Sequence, residues 1–74
     1  MLKINKSYKI VFNINNNALT YRCKILSIDN INGMTFICFI DDRSKIYTYN
    51  QSCILSYSEL DHNINDEDIN GATN

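Results

Sequence analysis

Apolar side chains recur at every second position through the first third of this chain. Tyr8, Ile10, Phe12 and Ile14 share one phase, with Lys9 and Asn13 in the other. A period of two is that of a strand with one buried face, so residues 8–14 are read as the first strand. Residues 19–29 form the second, where Tyr21, Cys23 and Ile25 alternate with Arg22 and Lys24. After Ile25 the alternation slips, because Leu26 and Ile28 are apolar and Ser27 is not. A bend or bulge at that point moves the apolar side to the other phase. Residues 34–41 are apolar in both phases, Met34, Phe36, Cys38 and Ile40 in one, Ile37 and Phe39 in the other. A strand covered on both faces reads this way. Residues 45–49 and 53–57 supply two more short strands, and no segment sustains a period of 3.6 over three turns.

Turn chemistry separates these runs. Residues 15–17 are consecutive asparagines, which tolerate left-handed backbone and bond their own turns. Asn32 followed by Gly33 is the strongest hairpin signal, since a two-residue turn needs positive φ there. Residues 41–44 make another tight turn, and residues 50–52 read as a single helical turn before the last strand. Ser56 and Glu59 have capping-box spacing, with Leu60, Ile64 and Ile69 as the apolar side of a short helix. A frayed, flexible end over residues 61–74 is the preferred reading.

Five short strands in one small domain must hide their edges, and closing the sheet does so. The expected fold is therefore all-β: a small five-stranded barrel over residues 1–60 and a flexible acidic tail over 61–74. The single turn before the last strand directs this to the SH3-like and Sm-like barrels. Tyr21-Arg22-Cys23-Lys24-Ile25-Leu26-Ser27-Ile28-Asp29 resembles the Sm-like pattern aromatic-x-Gly-x-aliphatic-x-Ser-aromatic-Asp, following Ile10 and Phe12 of the first strand. Cys23 stands where that family has the glycine of a strong bend. Gly33 stands where its base-contacting asparagine falls, with Asn32 one place early, and residues 49–54 replace its second, Gly-centred motif. What the resemblance implies is the barrel and, as an alternative function, single-stranded RNA or DNA binding. The family's RNA site is not carried over.

Charge adds little. The 74 residues carry a formal net charge of −1, made of +3 over residues 1–60 and −4 over residues 61–74, where Asp61, Asp66, Glu67 and Asp68 stand without a cation. Such a body is weakly basic beside most nucleic-acid binders. Asn and Ile occur 12 times each, both with AT-rich codons, which suggests an AT-rich source such as a low-GC bacterium or its phage. No apolar run approaches a membrane span, and the basic start is followed by no apolar signal segment, so a cytoplasmic chain is expected.

Catalytic chemistry has few candidates. Cys23, Cys38 and Cys53 are odd in number and sit within apolar runs without a C-x-x-C knuckle, so they read as reduced core thiols rather than zinc ligands with His62. His62 is the sole histidine and lies in the tail, which leaves no held acid–base pair. Asp61, Asn63 and Asn65 match alternate positions of a calcium loop, but Asp66 and Ala72 occupy the places of its glycine and its bidentate glutamate. Neither an enzyme, a metal nor a cofactor is expected.

Surplus aromatics remain. Tyr47 and Tyr49 share a face of the fourth strand beside Arg43 and Lys45, with Ile37 and Phe39 on the expected neighbour. Either this set or its alternates must be left outside the core. Phe39, Arg43, Lys45, Tyr47 and Tyr49 are the candidate partner-binding residues. The expected function is a non-enzymatic module acting through protein contact, as a homo-oligomer or as an accessory or inhibitory protein on a larger partner. In the nucleic-acid alternative Lys9, Arg22, Lys24, Arg43 and Lys45 contact phosphates between tyrosines.

Overall fold

A computed structural model describes residues 1–61. Five antiparallel strands follow one another, β1 (Ser7–Ile14), β2 (Asn17–Ile31), β3 (Met34–Asp41), β4 (Ile46–Asn50) and β5 (Ile54–Glu59). One turn of 3₁₀-helix, Gln51–Cys53, joins β4 to β5. The sheet order is β4-β3-β2-β1-β5. β4 and β5 are thus the two edges, and the sheet is not closed by a ladder between them. That corrects the closed barrel expected from the sequence: the edges are joined by a covalent turn. The expected tail helix or frayed tail over residues 61–74 falls, beyond Asp61, outside the described residues.

Local chemistry explains the strand ends. Ile14 faces Asn17, and Ile31 faces Met34, across two-residue loops. Asn15 and Asn16 have φ of 52° and 66°, Asn32 and Gly33 of 53° and 80°, the left-handed pair that a right-twisted hairpin demands. Asn17 therefore belongs to β2 rather than to the loop, and β2 runs 15 residues. At the third hairpin Asp41 shapes the turn. Its Oδ1 accepts the N–H groups of Arg43 (2.9 Å) and Lys45 (2.8 Å), and Ser44 takes φ of 66°. At the 3₁₀ turn Asn50 caps with its Oδ1, accepting the N–H of Ser52 at 2.9 Å. Residues 56–59 stay extended in β5, so the capping-box spacing starts no helix there.

The slip in β2 is a real irregularity of register. Ile25 faces Phe39 and Ser27 faces Cys38, which leaves Leu26 as the extra residue. Without it, strict alternation would send Ser27 and Asp29 inward. With it, Ile28 faces Ile37 and packs against the core. The N-terminal segment is tied to the same place: Asn5 N–H donates to the Ile25 carbonyl (2.8 Å), and Ile25 N–H to the carbonyl of Lys6 (3.0 Å). Leu2 then covers one end of a core made of Tyr8, Ile10, Phe12, Cys23, Ile25, Ile37 and Phe39.

Candidate functional site

Curling brings β1 against β4 although two strands separate them in the sheet. Phe12 of β1 meets Tyr49 of β4 edge-on at 4.9 Å and stacks on Phe39 of β3 at 5.4 Å. Phe39 stacks in turn on Tyr47 at 5.5 Å. Tyr21 completes the group, edge-on to Tyr47 at 5.0 Å, with its hydroxyl 2.8 Å from that of Tyr49. Partial burial and then the Tyr49 hydrogen bond push the Tyr21 hydroxyl above the ordinary phenol range. Five rings thus occupy the inside of the curled sheet.

This placement changes the candidate partner-binding set. Phe39 is wholly buried, and Tyr47 and Tyr49 are half-buried against the core. Their rings meet each other and are packing residues first. Arg43 and Lys45 are exposed at the β3–β4 turn. The face left outside is the alternate one. Phe36, Cys38 and Ile40 of β3 are half-buried, with Met34 exposed at the start of the row. Ile40 faces Ile46, which is 62% exposed, and Met34 faces Ile31, which is 54% exposed. Leu26, bulged from β2, is exposed as well. The signal for this assignment lies in the Asn32–Gly33 turn. A two-residue loop pairs Ile28 with Ile37 and Asp29 with Phe36, and a carboxylate belongs outside.

The cations divide. Lys9 and Arg22 are direct cross-strand partners on β1 and β2. With Arg43 they line a cleft of about 490 Å³, together with residues 19–21, Asp41, Asp42 and Tyr47. Lys24 and Lys45 do not line it; Lys24 faces Ile40 at the end of the outer apolar row. Three of the five nucleic-acid candidates therefore meet, beside two tyrosines that the charge pattern alone did not place there.

Cys23 is a poor nucleophile by placement. Cys23 is buried, and burial followed by the charges of Asp41 and Asp42 pushes its thiol up to about 12. Cys38 and Cys53 are half-buried and unpaired with one another. Among the described residues no three His, Cys, Asp or Glu side chains gather as a metal site would require, and no helix is long and apolar enough to cross a membrane. No protein-family model, curated protein or solved structure matches the chain.

Proposed function

We propose that the chain is a non-enzymatic binding module of the SH3-like or Sm-like kind that acts through protein–protein contact, first of all with a second copy of itself. The observation that carries this reading is the outer apolar row Met34, Phe36, Cys38 and Ile40, flanked by Leu26, Ile31 and Ile46. A row of this length on the solvent face of a small sheet marks an interaction surface. Its charges suit a two-fold partner. Lys24, opposite Ile40, stands at one end, and Asp29, opposite Phe36, stands toward the other. Two copies packed antiparallel set Lys24 of each against Asp29 of the other, as an isologous interface requires. The outer sides of β4 and β5 are also unpaired among the described residues, and such edges commonly meet other chains.

Sedimentation velocity of the whole chain tests this. A defined dimer that Ile46→Lys converts to monomer supports the reading; a monomer at all concentrations refutes it.

A second reading, single-stranded nucleic-acid binding, is favoured by the meeting of Lys9, Arg22 and Arg43 with Tyr21 and Tyr47 in one cleft. It stands second because those rings already pack on Phe39 and on each other, whereas base stacking needs an open ring face.

A further inference from the structure

β2 outruns β3. The last pair between them is Cys23 with Asp41, while β2 continues back to Asn17 beside β1. The carbonyl of Arg22 turns away from β1 and accepts the N–H of Asp42 at 3.1 Å. Successive residues of an antiparallel strand turn their backbone groups to opposite sides. Thr20 and Ala18 therefore present their N–H and C=O groups in the same direction as Arg22. None of the five strands pairs with that side of them. Thr20 and Arg22 of this row line the 490 Å³ cleft, which the β3–β4 turn flanks with Arg43. Its lining holds three cations, Lys9, Arg22 and Arg43, against two carboxylates. One of these, Asp41, is already engaged by two backbone N–H groups of its own turn.

We propose that this cleft receives an extended acidic segment of a partner protein, which adds as a strand beside residues 18–22 of β2 and sets its carboxylates against Lys9 and Arg43. The inference deepens the protein-contact reading, on which it rests, but uses none of the residues of the outer apolar row. Strand addition supplies main-chain hydrogen bonds for affinity and side-chain contacts for selectivity. A polynucleotide would match the cations but leave the backbone row unmet, whereas an acidic strand matches both.

The test is selection from a displayed library of random peptides of about twelve residues on the immobilised full chain. Enrichment of proline-free sequences rich in Asp and Glu is expected. The best selected peptide, made synthetically, should lose about tenfold or more in affinity with the Arg43→Glu chain. The Thr20→Pro chain should show the same loss, since proline on an edge whose N–H points outward spares the β1 ladder. N-methylation of alternate peptide amides gives the equivalent loss without touching the chain, and decides the matter where Thr20→Pro fails to fold. Selection of nothing, of basic peptides, or of peptides indifferent to both substitutions and to N-methylation overturns the proposal. So does a labelled oligouridine that displaces the selected peptide and is weakened by Arg43→Glu but not by Thr20→Pro. Ile46→Lys should leave peptide affinity unchanged, so loss of self-association and loss of strand addition are read separately.

Discussion

The hydroxyls of Tyr21 and Tyr49 lie 2.8 Å apart and join β2 to β4 across the inside of the sheet. Neither strand neighbours the other in the sheet, so this bond and the ring contacts around it fix the curl. Tyr49→Phe removes the bond and keeps the ring. It should cost about 0.5–1.5 kcal/mol in urea unfolding, with the fold retained. Tyr49→Ala also empties the contact with Phe12 and should cost about 3–5 kcal/mol, enough to unfold a domain this small. Equal effects of the two variants would show that the hydroxyl bond, and not the packing of the ring, carries the contribution of Tyr49.

Alkaline pH should destabilise the protein through Cys23. Its thiol is raised from 9.0 to about 12, so the folded state holds the proton more tightly than the unfolded one. The contribution is full below pH 9 and is withdrawn as the pH rises toward 12. Tyr21 is shifted in the same direction. Urea midpoints measured between pH 7 and 11 should fall, and fall less steeply in Cys23→Ala. Under native conditions Cys38 and Cys53 should alkylate before Cys23; mass spectrometry of partly labelled protein gives the order.

Asp41→Ala strips the acceptor from the N–H groups of Arg43 and Lys45 and should cost about 1–3 kcal/mol. Asp41→Asn keeps an oxygen in place and should recover most of that. A thermal melt of the three proteins checks both statements, and equal melts would remove Asp41 from the turn's stabilising groups.

Gly33→Ala meets no neighbouring atom within 4 Å, so its cost is confined to the backbone at φ +80°, about 1–2 kcal/mol. A larger loss would mean that the hairpin register itself had slipped.

On the outer face, Ile46→Lys and Met34→Lys should abolish self-association while changing monomer stability by no more than about 0.5 kcal/mol. Sedimentation and urea unfolding of the same samples separate the two effects.

Much of the strand architecture was legible because period-two phases and asparagine-rich turns act within a few residues. The slip after Ile25 marked the Leu26 irregularity correctly. Sheet closure was less legible, because the argument from hidden edges does not determine whether a ladder or a covalent turn joins them. The inward side of β3 was left open for a nearer reason. Both of its phases are apolar, and the alternation alone does not say that the rings of Tyr47 and Tyr49 pack, half-buried, against the core. The cleft at residues 19–22 was invisible in the sequence, since it arises from β2 being longer than β3, a relation between strands.

Among the described residues, three of the four ladders, β1–β2, β2–β3 and β3–β4, are hairpins between chain neighbours, and only β1–β5 joins distant residues. Synthesis therefore delivers the hairpins in order, while β1 waits for its second partner until β5 arrives. Until then the edge of β1 that Ser56 and Ser58 will cover is open to any extended chain nearby. A nascent chain stalled before β5 is the form most exposed to misassembly, and arrival of β5 is the step that ends that exposure.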